Sequence, residues 1–414
     1  MVRGRCRRSP FRRHPLTLAL RAHFIDDKVD EVLSPPAGRG DFRASFGIRG
    51  IAAAILITHV QKPAQPVQIP QIPEETPMSH TLSRRTLLAG AAAFPLATVF
   101  TRPVRAAEFE YKLATGQDPT HPVNIRAQEA LNRIREASNG RLDIKLFPAN
   151  QLGSDTDLLS QVRNGSVEFF NLSTSILSTF VPAAALPNTG FAFKDYNEVW
   201  KAMDGGLGAY VREQIAKTPI QAVSKVWDNG FRQITSSTKE IRNPEDLKGF
   251  KIRVPPSPML TSLFKAFDAG AAPLNFNELY SALQTKIFEG QENPLAIIAT
   301  TRLYEVQKTC SLTGHVWDGY WILGNKKAVQ RLPEDLRAIV TRELDRSADD
   351  QRADIVKLSA SLVQELGSKG ITFIDVDRQK FRDALGRTTF YKDWKNKYGD
   401  AAWEHLEAVA GKLA

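Results

Sequence analysis

Cysteine is nearly missing from these 414 residues, which hold only Cys6 and Cys310. If Cys6 is removed with an N-terminal leader, no internal disulfide is possible, and Cys310 reads as a small buried apolar residue. Beyond residue 106 histidine is limited to His121, His315 and His405, without metal-ligand spacing. The chain lacks a Gly-x-Ser-x-Gly elbow, a His-Glu-x-x-His pair, a Walker loop, a dinucleotide glycine fingerprint and a Cys-x-x-Cys pair. No catalytic residue, metal or cofactor is therefore expected. The longest apolar run upstream of residue 78, Ile51 to Ile57, is far too short to cross a bilayer.

A charge imbalance is missing too, once it is located. The net charge is +10, but 16 of the 55 basic and 7 of the 45 acidic residues lie in residues 1–106. The remaining 39 and 38 nearly cancel, so the body of the chain carries no electrostatic footprint for nucleic acid. The length allows two or three domains. A hydrophobic fraction of 42% and a charged fraction of 24% are those of a soluble globular protein.

Residues 1–77 hold no pattern able to build a core. They begin with an arginine cluster (Arg3, Arg5, Arg7, Arg8, Arg12, Arg13) and end in the run Gln61 to Pro66. They read as a disordered or mistakenly translated leader, with Met78 as the expected true start. Residues 78–106 then read as a signal peptide. Arg84-Arg85 forms a twin-arginine signature, Leu87 to Phe100 an uncharged stretch of signal length, and Val104-Arg105-Ala106 a cleavage site. Export to the periplasm by the twin-arginine (Tat) route is expected, with the Sec route as the alternative.

The exported body opens with alternating Phe109, Tyr111 and Leu113, then a helix to about Ser138, stopped by Asn139-Gly140. Leu142, Ile144 and Leu146 predict a second strand. Ser154 caps a helix ended by Gly165, and Val167 to Leu172 form a third strand. Strand, helix, strand, helix, strand predicts a parallel α/β sheet with right-handed crossovers. His121 reads as a turn histidine bonding the backbone. Ser173, at the end of the third strand, reads either as a helix cap or as a hydroxyl facing a cleft. Residues 194–216 predict one helix, and residues 221–226 a strand. Trp227, beside the glycine-containing joint before Arg232, either faces the cleft or packs in a hinge. Residues 294–307 predict a helix, and His315 to Leu323 a second crossover. From Pro333 to about Leu366 an amphipathic pattern predicts a helix of roughly 50 Å.

The chain is organised around Arg232 to Asn293. Asn243 and Pro244 predict a capped helix, Gly249 its stop, and Phe250, Ile252 and Val254 a strand with Arg253 near its carboxyl end. A guanidinium there offers a planar fork for a carboxylate. Three segments, Arg232-Gln233-Ile234-Thr235, Asp246-Leu247-Lys248-Gly249-Phe250-Lys251-Ile252-Arg253-Val254 and Gly290-Gln291-Glu292-Asn293-Pro294, closely resemble in content and spacing the substrate-binding receptors of TRAP (tripartite ATP-independent periplasmic) transporters. The turns at Gly116 to Pro122 and Phe147 to Gly153 extend the resemblance through the amino-terminal half.

The resemblance implies an α/β, two-lobed periplasmic binding protein with a cleft between the lobes, hinge crossovers and a long bracing helix. Lobe I would comprise 107–230 and 319–358, and lobe II 231–318 and 359–414. It further implies that Arg253 holds a substrate carboxylate with two prongs, that Arg232 and Asn293 assist, and that Phe276 packs on the substrate or lies under a helix start. Sialic-acid receptors carry a glutamate at the position of Ser173, so a sialic-acid ligand is not expected. The implied partners are an organic acid and the TRAP permease membrane subunits. An exported enzyme acting on a small organic or sugar acid is the alternative, but it would need paired carboxylates in the cleft, and the sequence identifies none.

Overall fold

The computed structural model describes residues 106–413. The leader, the twin-arginine pair and nearly all of the signal segment lie outside the described residues.

Among these residues twelve strands run in chain order: β1 (Phe109–Thr115), β2 (Leu142–Phe147), β3 (Phe169–Ser173), β4 (Ile220–Ala222), β5 (Trp227–Phe231), β6 (Gln233–Ser236), β7 (Lys251–Val254), β8 (Gly270–Pro273), β9 (Gly290–Asn293), β10 (Thr309–Ser311), β11 (Trp317–Asn325) and β12 (Thr372–Ile374). They form two six-stranded sheets. The first has the order β2-β1-β3-β11-β4, with β5 also on β11; the second has the order β12-β10-β6-β9-β7-β8. β1 is parallel to β2 and β3, as the strand–helix alternation predicts, while β11 enters antiparallel beside β3.

The local signals act where the sequence carries them. His121 caps the helix Pro122–Ala137 by accepting the Val123 N–H at Nδ1. Ser154 and Asp157 form a reciprocal capping box on the helix Asp155–Asn164, and Gly165 closes it at φ 87°. Asn243 and Asp246 make a second box on the short 3-10 turn Pro244–Leu247, and Gly249 follows at φ 69°.

The expected single helix over 194–216 is two, Tyr196–Met203 and Gly206–Ala216. A Cβ on Gly208 would lie 1.8 Å from the Met203 carbonyl oxygen, so the chain folds back on itself where only glycine fits. The joint at Trp227 to Phe231 is itself a strand, and residues 295–305 hold a short helix and a 3-10 turn rather than one helix.

The chain passes between the sheets at Arg232, again at residues 312–316, and a third time along the helix Glu334–Ser368. The first two passages lie side by side, because the Arg232 N–H donates to the Val316 carbonyl at 2.8 Å. The long helix is a brace. Leu336, Val340, Leu344 and Ala348 pack into the cluster under the first sheet, and Ile355, Leu362 and Leu366 into the cluster beside the second. Each fully buried leucine or valine contributes about 1.5–3 kcal/mol, so both halves of the helix are anchored. The last helix reaches back towards the first sheet. Asp400–Ala410 packs on Tyr196–Met203 and Gly206–Ala216, which follow the first sheet's strands.

Candidate ligand-binding site

A cavity lies between the two sheets. The first sheet's side supplies Gly116, Gln117, Asp155, Asn171, Ser173, Ser175, Asn229 and Tyr320, and the second's supplies Arg232, Arg253, Phe276 and Asn293. Gln117, Ser173 and Arg253 sit at or near the carboxyl ends of β1, β3 and β7, where open α/β sheets place ligands.

Arg253 is 1% exposed and paired in register with Ala272 and Gln291 on its two neighbours. Its Nε and Nη2 donate to the Leu274 carbonyl at 2.9 and 2.5 Å. Those bonds aim the fork, yet Arg253 forms no ion pair among the described residues. Burial lowers its pKa to about 10, against the pull of Glu292, so it remains a cation at neutral pH.

Arg232 lies in the opposite situation. Its Nη2 reaches Glu292 Oε1 at 2.8 Å and Asn293 Oδ1 at 3.0 Å, and its Nη1 reaches Asp318 Oδ2 at 3.1 Å. Burial alone would favour its neutral form, but Glu292 and Asp318 reverse that and raise its pKa. Burial likewise acts to raise Glu292, and the Arg232 charge and the His315 bond more than offset it. Arg232 is thus committed to two carboxylates at the crossover.

Asn293 is engaged too, accepting from Arg232 and donating from Nδ2 to Gln291 Oε1. Ser173 fills both expected roles: its Oγ accepts the Ser175 N–H as a cap, donates to Asp318 Oδ2 at 2.7 Å and lines the cavity. Phe276 lies half-buried on the cavity wall. Trp227 does not reach it. It is fully buried, within the core cluster that also holds Tyr320, Val340 and Leu344. The cleft-facing reading of Trp227 is therefore corrected to the packing alternative.

Four polar lining groups escaped the sequence reading: Gln117, Asp155, Asn171 and Asn229. Asn171 offered a signal, as a lone amide in the apolar run Phe169 to Leu172. Asp155 offered none, since an acid one residue after a cap looks like dipole compensation. It is buried, and that burial raises its pKa against the Asn150 amide and the Arg253 charge. Tyr320 donates to Asn229 Oδ1, whose Nδ2 donates to Asp318, linking the cavity to the crossover.

The site sets Arg253, a cation without an ion-pair partner among the described residues, beside the polar groups of Gln117, Asn171, Ser173 and Asn229 and the buried Asp155 carboxyl. Ser173 and Ser175 bond Asp318 rather than an imidazole, so neither is set up as a nucleophile. Among the described residues no cluster of metal ligands occurs, and no helix is long and apolar enough to cross a membrane.

Residues 113–394 match the model of the bacterial extracellular solute-binding protein family 7. The chain belongs to this family. It is 30% identical to the 2,3-diketo-L-gulonate-binding periplasmic protein YiaO of Escherichia coli K12, over 74% of this chain and 92% of that one. It is 31% identical to an uncharacterised Sinorhizobium fredii protein, over 74% of this chain but only 57% of that longer one. Among solved structures it matches a sugar-acid-binding protein of Advenella mimigardefordensis in complex with galactonate (TM-score 0.71, 26% identity, 75% of this chain and all of that one). It also matches a TRAP periplasmic solute-binding protein of Sulfurospirillum deleyianum with bound succinate (TM-score 0.69, 26% identity, 73% of this chain and 99% of that one). The two-lobed α/β fold is that of these receptors, and this family-7 chain is a solute-binding protein rather than an enzyme.

Proposed function

We propose that this receptor captures an organic acid anion by its carboxylate and hands it to the membrane subunits of a TRAP permease for secondary active uptake. The observation that carries the reading is Arg253: a buried guanidinium, held by the Leu274 carbonyl, without an ion-pair partner and facing a cavity. A buried charge without a counter-ion is costly, and an incoming carboxylate removes that cost. Arg232 and Asn293 act from behind, setting the field and the shape of the wall, and Phe276 and Ser173 complete it.

Lobe I is 107–230 with 319–358 and lobe II is 231–318 with 359–414, the last helix bridging back to the first. Closure of the two about the paired crossovers excludes water and strengthens the clamp. The signature at Arg84-Arg85 fits delivery to the periplasm by the Tat route. The relatives named above include a receptor with succinate and one with galactonate, so membership leaves the ligand class open.

The test is a thermal-shift screen of the purified protein against organic acids, repeated with Arg253→Ala. A ligand at a hundredfold excess over Kd stabilises by about 2.7 kcal/mol. A shift for one acid class that vanishes in the variant supports the reading; a shift untouched by the variant sinks it.

A further inference from the structure

The cavity is unevenly equipped, and the unevenness bears on what fills it. Its charged lining groups are Arg232, Arg253 and Asp155. Arg232 already holds Glu292 and Asp318. One cation, Arg253, is therefore left for the ligand.

The first sheet's wall has the opposite deficit. Asn171 is 3% exposed, and neither its Oδ1 nor its Nδ2 has a hydrogen-bond partner. Gln117 is 7% exposed, and its Oε1 has none either. Buried polar groups are nearly always paired, so three orphaned atoms on one cavity wall mark positions completed by something else. Asp155 stands on the same side as a further acceptor.

Each candidate ligand chemistry meets these groups differently. A second carboxylate could satisfy the Asn171 amide N–H but, as an acceptor only, not Asn171 Oδ1 or Gln117 Oε1, and it would face the Asp155 carboxyl. An aliphatic or aromatic tail leaves all three atoms unpaired and desolvated. A hydroxyl both donates and accepts, so a chain of hydroxyls satisfies the two carbonyl oxygens, the amide N–H and Asp155 together.

We infer that the ligand is a monocarboxylate whose remaining chain is polyhydroxylated, that is, a sugar acid, with its carboxylate on Arg253 and its hydroxyls on Asn171, Gln117 and Asp155. This rests on the carboxylate reading above and adds the ligand class to it.

The test is isothermal titration of the purified protein with three series of acids matched in chain length. The probes are polyhydroxy monocarboxylates (gluconate, galactonate, threonate), dicarboxylates (adipate, succinate) and plain monocarboxylates (hexanoate, butyrate), with the neutral alditols sorbitol and threitol as controls. A polyhydroxy acid is expected to bind tighter than its matched dicarboxylate and plain acid by on the order of 100-fold, the loss seen when buried polar groups go unpaired.

Asn171→Leu and Gln117→Met should each weaken that acid by on the order of 10-fold, while leaving or improving the plain acid. The two variants lie on different elements, and unchanged circular dichroism certifies the fold of each. A dicarboxylate or plain acid binding as tightly as the polyhydroxy acid overturns this inference and leaves the carboxylate reading standing. Alditols binding as well as the acids, or no acid of any series binding, overturns both.

Discussion

Arg232 and Arg253 line one cavity, yet they stand in opposite electrostatic states. Arg232 holds Glu292 and Asp318 across the crossover, whereas Arg253 donates only to the Leu274 carbonyl. The two should therefore fail differently when removed. Arg232→Ala leaves two buried carboxylates uncompensated and should cost about 3–5 kcal/mol of stability. Arg253→Ala should lower the Tm of the ligand-free protein far less, while weakening ligand binding by a comparable several kcal/mol. Paired melting and titration curves check this; equal losses of Tm would refute the division of labour.

The two sides of the cavity also touch directly. Asn275 Nδ2 donates to Thr156 Oγ1 at 3.2 Å, joining the start of one side's helix to the other's loop. Asn275→Ala should weaken ligand affinity by about 0.5–1.5 kcal/mol, the usual net worth of one hydrogen bond, mainly through faster release. Stopped-flow dissociation measures it.

Asp228 gives the protein a pH dependence. Its Oδ1 accepts from the Trp317 indole at 2.8 Å, its Oδ2 has no partner, and burial pushes its pKa up to about 7 from 3.8. Across that window the folded chain binds more protons than the unfolded one. Its contribution to stability is therefore complete below the lower value and is lost as pH rises through the upper, at about 1.4 kcal/mol per unit. Asp228→Asn keeps an oxygen for Trp317 and cannot ionise. It should melt above wild type at about pH 8 and lose most of the difference by about pH 5. Identical pH profiles for the two proteins would refute the assignment.

Gly290 opens the segment Gly290-Gln291-Glu292-Asn293-Pro294, and its reason is steric. A Cβ there would lie 2.1 Å from the Thr235 carbonyl oxygen and 2.6 Å from the Phe250 ring. Gly290→Ala should displace β9 and cost about 1–3 kcal/mol or more through overpacking. Because Glu292 and Asn293 ride on that strand, binding should weaken with it. Denaturant unfolding and titration of the same variant report both effects.

Much of the fold is legible in the sequence alone. The alternation at Phe109 to Leu113, the boxes opened by Ser154 and Asn243, the stops at Gly165 and Gly249 and the long amphipathic pattern after Pro333 are short-range signals. They depend on residues a few positions apart, and the structure realises them. Arg253 at the end of β7 was legible for the same reason, since a strand's direction and its last side chains are local facts.

What each side chain meets across the fold was not. Trp227 could be read as cleft-facing or as hinge packing, and only its burial in the core under the first sheet decides for packing. Arg232 reads in the sequence as assisting at the carboxylate, and nothing local shows that Asp318, 86 positions away, pairs with it. The orphaned amides of Asn171 and Gln117 and the burial of Asp155 exist only because two sheets face each other across one cavity. The sequence by itself determined the locally signalled elements, the parallel opening of the first sheet and the two arginines of the motif. Tertiary structure alone decided which arginine is neutralised and which is free, because charge compensation and desolvation are set by distance in space, not along the chain.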